Sequence, residues 1–167
     1  ISHGNVNSWE RKKKAKKAGG ETFVSLIQFD TMCETLIDAV KPDKLIEWAM
    51  TDFTPRGGTS LYDGVWTAMN HLKAKPATDD TAYLVCVISD GGENSSTEVT
   101  QAIMTAEVKK LQEQGNWVFT YLMANVDIKQ GQVTFGANAN NISIYNSTSA
   151  GATATYSTNA ASIGNYM

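Results

Sequence analysis

Three polar stretches of the sequence carry residue types that suit the binding of a hard metal cation. Asp30 follows one apolar run, Asp90 follows another, and a Gly-Gly-Thr-Ser loop places Thr59 and Ser60 before a helical pattern. Carboxylate and hydroxyl oxygens, completed by water, are the ligands that Mg²⁺ prefers. The competing interpretation is structural: Thr59 and Ser60 only cap a helix, and Asp90 only turns the chain before two glycines. From the residues alone, the two interpretations carry equal weight.

Three apolar runs are predicted to be the strands that position these residues. They cover residues 23–29, 83–88 and 117–123 and are dense in β-branched and aromatic side chains. The last two are nearly continuous rather than alternating, which is typical of parallel strands covered on both faces. Ligands of such sheets bind beyond the carboxyl ends of the strands, where Asp30 and Asp90 lie.

The stretches between these runs carry helical patterns. Apolar residues at three- and four-residue spacings predict a helix over Leu61–Lys73 that is capped by Ser60. A second helix is predicted after Ser95 and Ser96, and Gly115 is expected to end it. Because strand and helix alternate, the predicted fold class is α/β, a doubly wound and mostly parallel sheet with helices on both faces.

Several shorter segments complete the predicted fold. Residues 35–40 are expected to form a short antiparallel edge strand, residues 43–48 a short helix, and residues 142–145 a final strand. The chain up to Lys17 is predicted to be the latter part of a helix. Residues 130–167 contain no charged side chain, so this tail is expected to be ordered and buried rather than solvated.

Length and composition fit a single domain that spans residues 1–167. Apolar residues make up 42% of the chain and charged residues 19%, which is enough for a globular core. Six basic residues against one glutamate give residues 1–20 a charge of +5, which leaves −8 on the rest of a chain whose net charge is −3. A basic last helical turn accounts for this cluster, and the acidic remainder disfavours nucleic acid as a partner.

The sequence also disfavours membrane, secreted and common enzymatic classes. No apolar run approaches the ~18 residues of a membrane span, and Cys33 and Cys86 are too few for a disulfide scaffold. Nothing in the sequence indicates secretion. The motifs Gly-x-Ser-x-Gly, Gly-x-x-x-x-Gly-Lys and Cys-x-x-Cys are absent from the sequence. We therefore expect protein partners, no small-molecule substrate and no membrane.

Three segments, taken together, resemble a von Willebrand factor type A domain. In chain order they are VSLIQFD at 24–30, FTPRGGTSLYDG at 53–64 and VISDGGEN at 87–94. Their order and spacing also fit, and the resemblance covers nearly the whole chain. The similarity is greatest to the single-domain versions of bacteria and tailed phages.

The resemblance implies a metal-ion-dependent adhesion site for Mg²⁺, Mn²⁺ or Ca²⁺. Thr59 and Asp90 match the threonine and the aspartate of that site. The candidates for support around the ligands are Asp63, Ser89 and Asp30. The family's Asp-x-Ser-x-Ser motif occurs nowhere in the sequence, so either it precedes the first residue, together with the family's first strand, or the protein has lost its site. The cation is expected only if the motif exists.

The function implied by the resemblance is a non-enzymatic, divalent-cation-dependent protein–protein interaction module. In the family, an acidic residue of the partner completes the coordination of the cation. The implied setting is a phage virion or assembly, or else the bacterial cytoplasm. One alternative is a structural subunit of the same fold with an incomplete, silent metal site. Another is a Mg²⁺-dependent enzyme of doubly wound fold that uses Asp30 and Asp90, although no lysine ends a strand.

Overall fold

The computed structural model describes residues 20–46, 56–90, 92–124, 128–137 and 139–145. Within these ranges the chain forms five strands and three α-helices. In chain order they are β1 (Val24–Phe29), β2 (Cys33–Val40), α1 (Leu61–Lys73), β3 (Tyr83–Ser89), α2 (Gln101–Gln112), β4 (Trp117–Ala124), α3 (Ile128–Phe135) and β5 (Ile142–Tyr145). Short 3-10 turns lie at Pro42–Lys44 and Ala139–Asn141.

The described strands form two sheets. Strands β3, β4 and β5 make a parallel sheet in that order, with Tyr83 opposite Trp117 and Tyr121 opposite Ile142. Strands β1 and β2 form a separate antiparallel pair, in which Phe29 lies opposite Cys33. The fold is therefore mixed α/β, as predicted, but the antiparallel strands belong to a two-stranded sheet of their own rather than to the edge of one continuous sheet.

Helix α1 connects the two sheets by packing against both. A Cβ atom added at Gly64 would lie only 2.7 Å from the ring of Phe29, so the helix backbone lies directly on β1. Farther along the helix, the Nε2 atom of His71 is 3.1 Å from the Oγ atom of Ser25. On its other side the helix contributes buried Leu61, Val65 and Met69 to the core of the parallel sheet.

The main hydrophobic core lies on one face of the parallel sheet. Alternate residues of β4 point into it, and all three helices contribute side chains to it. Its largest fully buried members include Tyr121, Phe119, Phe135, Leu61, Met69 and Met104. The opposite face carries a small cluster of Leu122, Ala124, Tyr145 and Cys86, which contains no side chain from α1, α2 or α3. The described helices therefore cover one face of the parallel sheet.

Several predicted boundaries agree with the structure and others do not. Helix α1 has the predicted bounds. Helix α2 begins later than predicted, because Thr100 rather than Ser95 or Ser96 caps it by accepting a hydrogen bond from the amide of Ile103. Gly115 follows that helix with a φ of 82°, a conformation that glycine adopts without strain.

The remaining elements were predicted less well than α1 and α2. The short helix expected at 43–48 is a 3-10 turn over Pro42–Lys44, with residues 47 and 48 outside the described ranges. Helix α3 was not predicted. The segments 1–19 and 146–167, which include the basic cluster and most of the uncharged tail, also lie outside the described residues. No helix in the described part of the chain is long and apolar enough to cross a bilayer.

Candidate functional site

Asp30, at the end of β1, holds the loop that carries Thr59. This loop, residues 56–60, is called the Thr59 loop below. The Oδ2 atom of Asp30 accepts a hydrogen bond of 2.6 Å from the Nε atom of Arg56, and its backbone oxygen accepts one of 2.6 Å from the amide of Ser60. Arg56 also pairs with Glu34 of β2. Asp30 thereby fixes both ends of the Thr59 loop against the antiparallel pair of strands.

The carboxylate of Asp30 is fully used by these internal contacts. Its other oxygen, Oδ1, accepts hydrogen bonds from the amide of Met32 at 3.0 Å and from the hydroxyl of Thr31 at 3.4 Å. The hydrogen bond from Arg56 holds the pKa of Asp30 below its usual value, although burial opposes this shift. Asp30 is therefore a positioning residue and has no oxygen left free to bind a cation.

Thr59 is held through its backbone, which leaves its hydroxyl available. The amide of Thr59 donates a hydrogen bond of 2.8 Å to Oδ1 of Asn94, and its carbonyl accepts one of 3.1 Å from the amide of Asn94. Asn94 belongs to residues 92–99, called the Glu93 loop below, which follow β3. The hydroxyl of Thr59 makes no hydrogen bond to any described residue.

Gly58 is required by a close approach rather than by an unusual backbone conformation. A Cβ atom at this position would lie 2.2 Å from Oγ of Ser95 and 2.6 Å from Cγ2 of Thr31. A Cβ atom at Gly57 would meet nothing within 4 Å. Neither glycine has a positive φ, so the requirement for glycine in this loop is steric and concerns Gly58 alone.

The first turn of α1 is capped by the Glu93 loop and not by Ser60. Ser60 occupies the N-cap position, but its side chain makes no capping hydrogen bond. Instead, the amide of Tyr62 donates to Oε2 of Glu93 at 3.0 Å and to Oγ of Ser96 at 3.1 Å, and the amide of Asp63 donates to Oγ of Ser96 at 3.2 Å. The predicted capping role of Ser60 was therefore wrong. Two residues from more than thirty positions away satisfy the helix amides.

Glu93 is the centre of this capping arrangement. In addition to Tyr62, it accepts hydrogen bonds from the amides of Ser95 and Ser96 at 2.8 and 2.7 Å and from the hydroxyl of Ser96 at 2.6 Å. Burial raises the pKa of Glu93, but the bonds from Ser96, Tyr62 and Ser95 outweigh it, so the pKa lies below its usual value. The ionised carboxylate thus fixes the Glu93 loop to α1.

Asp63 fixes the other end of the Glu93 loop. The residue is 5% exposed, and its carboxylate accepts hydrogen bonds from the amides of Thr97, Glu98 and Val99 at 2.7 to 3.2 Å. These three amides precede the cap of α2 and would otherwise lack helix or strand partners. Asp63 therefore positions the backbone of the Glu93 loop.

Asp90 and Ser89, at the end of β3, differ from each other in exposure. Ser89 is 7% exposed and lies opposite Met123 in the parallel sheet. Asp90 is exposed, and its carboxylate makes no hydrogen bond or ion pair with any described residue. The structure thus links the Thr59 loop with Asp30 through Arg56 and Ser60, and Thr59 with the Glu93 loop through Asn94. Among the described residues, no bond joins Asp90 to these groups.

The two predicted metal ligands suit a hard cation in kind but are few in number. They are the Thr59 hydroxyl and the Asp90 carboxylate, which bond to no described residue and are both oxygen ligands of the type that Mg²⁺ prefers. The same part of the chain contains no group of three or more His, Cys, Asp or Glu side chains that could hold a metal ion. A cation at Thr59 and Asp90 would need further ligands.

Neither a scan against protein-family models nor a search of curated proteins finds a match for this chain. The resemblance to a von Willebrand factor type A domain therefore rests on the three sequence segments alone.

The sequence analysis missed the residues that hold the site together. Glu93, Asn94 and Ser96 form most of the network, and Arg56 forms an ion pair with Asp30. The only local signal is an unbroken polar run of six residues between a buried strand and a helix, Glu93 to Glu98. Such a run also suits a solvated loop or a local helix cap, so the sequence does not single out its partners.

Proposed function

We propose that the protein is a non-enzymatic protein–protein interaction module that contacts its partner through Thr59 and Asp90. The observation that supports this best is a contrast in hydrogen bonding. Among the described residues, Asp30, Asp63, Glu93 and Asn94 are all engaged with the backbone or with Arg56, while the Thr59 hydroxyl and the Asp90 carboxylate are not. A rigid loop that presents uncommitted oxygen atoms suits the recognition of a ligand from outside.

A divalent cation is the proposed link between these oxygens and the partner. Thr59 and Asp90 would hold Mg²⁺, and the bound cation would attract an acidic side chain of the partner. The further ligands would come from water and from that acidic side chain. With one hydroxyl and one carboxylate alone, binding is expected to be weak. We also propose that the sheet is doubly wound, with a second layer of helices on its other face.

The proposed partner is another protein subunit, and the proposed setting is a phage virion or its assembly. Similarity to the phage versions of the family supports this setting. The acidic balance outside residues 1–20 disfavours nucleic acid. The enzymatic alternative is not favoured, because Asp30, its second candidate carboxylate, is occupied by Arg56.

Paramagnetic broadening by Mn²⁺ tests the cation site directly. We expect Mn²⁺ to broaden the amide resonances of Thr59, Ser60 and Asp90 in ¹H–¹⁵N spectra, and EDTA to restore them. Asp90→Ala should remove the effect. Asp80→Ala is the matched control, since Asp80 is an exposed aspartate that precedes β3 at its opposite end. Partner binding that is equally strong in Mg²⁺ and in EDTA would count against the cation-dependent mechanism.

The second candidate function is a structural subunit of the same fold with a silent metal site. The predicted metal site has only two ligands, one carboxylate and one hydroxyl, and this small number supports it. In that case Mn²⁺ would leave the resonances of Thr59 and Asp90 unchanged, and EDTA would not affect assembly with the partner.

A further inference from the structure

A cavity of about 320 Å³ opens beside the Thr59 loop on the side of α1. It is bounded by the turn between β1 and β2, the first half of α1 and the end of the Glu93 loop. Its lining residues are Thr31, Met32, Cys33, Ser60, Asp63, Thr67, Thr97 and Glu98. The floor is buried, with Ser60 2% exposed and Asp63 5% exposed, whereas Thr97 and Glu98 at the mouth are exposed.

The hydroxyl of Ser60, a residue of this floor, makes no hydrogen bond within the described part of the chain. Its Oγ atom is fully buried, and neither the N-cap position nor any neighbouring group satisfies it. Buried hydroxyl groups in folded proteins nearly always have a partner, because an unsatisfied one costs folding free energy. Ser60 is among the residues that line the open cavity, so a ligand that reached its hydroxyl would supply the missing hydrogen bond.

The charge of the cavity restricts what that ligand can be. Among the described residues, two carboxylates, Asp63 and Glu98, line it, and no lysine, arginine or histidine does. Neither carboxylate forms an ion pair with a described basic residue. Asp63 contributes charge but few free lone pairs, because it already accepts bonds from three amides. Glu98 alone is too small a ligand set for a divalent metal ion, which usually needs several protein oxygens.

The walls of the cavity suit a short apolar stem. Met32 at the rim is 53% exposed, and Thr67 and Cys33 lie below it. Burial raises the pKa of the Cys33 thiol, so this wall is neutral at physiological pH. An unbranched aliphatic chain that ends in a cation fits both features of the cavity. Its methylene groups suit the neutral wall, and its charged head suits the carboxylates.

We propose that this cavity binds a primary ammonium group on a short aliphatic chain, with the Ser60 hydroxyl accepting one of its N–H bonds and Glu98 and Asp63 balancing its charge. A lysine side chain of a partner protein and a free alkylamine are the two sources of this chemistry. The proposal is independent of the cation site at Thr59 and Asp90, because it uses different side chains and needs no metal.

The test is a ¹H–¹⁵N titration of the 167-residue chain with n-butylammonium in the presence of EDTA. We expect saturable shifts of the amides of Thr31, Cys33, Ser60, Thr67 and Glu98. Neutral n-butanol, which has the same stem, should bind at least about fivefold more weakly, since hydrogen bonds to charged groups are the stronger ones. Equal responses to the two compounds, or no saturable response to n-butylammonium, would overturn the proposal.

Two variants locate the binding in the cavity. Ser60→Ala and Glu98→Gln should each weaken n-butylammonium binding by about fivefold, the value of one ordinary hydrogen bond. Ser60→Ala is expected to fold normally, because the deleted hydroxyl makes no hydrogen bond. Glu113→Gln removes an exposed glutamate just beyond α2 and is the matched control. If Glu113→Gln weakened binding as much as Glu98→Gln, the effect would be one of net charge and the cavity assignment would be wrong.

A last comparison distinguishes the two possible sources of the ammonium group, a lysine side chain of a partner protein and a free alkylamine. Nα-acetyl-lysine N-methylamide represents a lysine within a protein chain, and n-butylammonium represents a free amine. Tighter binding of the lysine derivative would support a partner protein, and tighter binding of the free amine would support a small molecule.

Discussion

The first turn of α1 and the end of β3 each carry an aspartate, and the two carboxylates have opposite surroundings. Asp63 is 5% exposed and accepts hydrogen bonds from three amides of the Glu93 loop. Asp90 is exposed and has no hydrogen-bond or ion-pair partner among the described residues. The same residue type thus holds the backbone in one region and presents free oxygen atoms in the other.

This difference separates the groups that build the site from those that can act in it. A buried carboxylate is tolerated only when hydrogen bonds replace its lost hydration, so its oxygens are used inside the protein. An exposed carboxylate keeps its water and can exchange it for a ligand. The two regions should therefore respond to mutation in opposite ways, with stability lost in the first and ligand binding lost in the second.

Asp63→Ala should cause the largest loss of stability. The substitution leaves the amides of Thr97, Glu98 and Val99 without an acceptor, and we expect a loss of about 3 kcal/mol in the free energy of unfolding. Urea denaturation at pH 7 measures it. Asp63→Asn keeps one acceptor oxygen and should lose less. A loss below about 0.5 kcal/mol for Asp63→Ala would show that these hydrogen bonds do not hold the Glu93 loop.

Gly58→Ala should cause the next largest loss, about 2 kcal/mol, which is typical of overpacking. The added Cβ would meet Ser95 and Thr31, and Ser95 Cβ, at 3.0 Å, cannot move away by rotation about χ1. Thermal or urea denaturation of Gly58→Ala and of the matched control Gly57→Ala measures the difference. Combining Gly58→Ala with Ser95→Ala should recover part of the loss, since the closest atom is then removed. Equal stabilities of the two glycine variants would contradict the steric role of Gly58.

Much of this architecture could be predicted because its signals are local. The runs that became β3 and β4 are apolar over consecutive residues, and α1 carries an apolar stripe at helical spacing. Helix α3 could not be predicted in this way. It includes Gly131 and Thr134, both poor helix formers. The helix is held instead by tertiary contacts, with Phe135 stacked 4.0 Å from Tyr121 and Gly131 packed against Ile142.

The candidate site shows the same limit. Thr59 and Asp90 are candidates because of their positions next to predicted elements, which is local information. The roles of Asp30 and Ser60 cannot be read in this way, because each is decided by a residue far away in the sequence. Arg56 occupies the carboxylate of Asp30 from 26 positions away, and Glu93 takes over the cap expected of Ser60. A sequence pattern ranks candidate donors by type, but only the fold decides which donors remain free.

Glu93→Gln should reduce stability by about 1 kcal/mol at pH 7, with a dependence on pH. The pKa of Glu93 in the folded protein lies below its ordinary value of 4.5. The stabilisation from its ionised form is therefore complete above about pH 4.5 and is lost as the pH falls through the folded pKa. The stability difference between wild type and Glu93→Gln should accordingly shrink between pH 5 and pH 3. A difference that stayed constant over that range would show that ionisation of Glu93 does not contribute.

Asp90→Ala should have the smallest effect on stability, within about 0.5 kcal/mol of wild type. The side chain is exposed and unpartnered within the described ranges, so its removal breaks no contact that the fold uses. The same variant should nevertheless abolish the Mn²⁺ broadening at Thr59, because it removes the carboxylate of the proposed cation site. Urea denaturation and the Mn²⁺ titration, performed on the same sample, measure both quantities. A loss above about 1 kcal/mol would place Asp90 with Asp63 among the residues that hold the fold. Unchanged broadening would remove Asp90 from the cation site, and in either case the contrast between the two aspartates would fail.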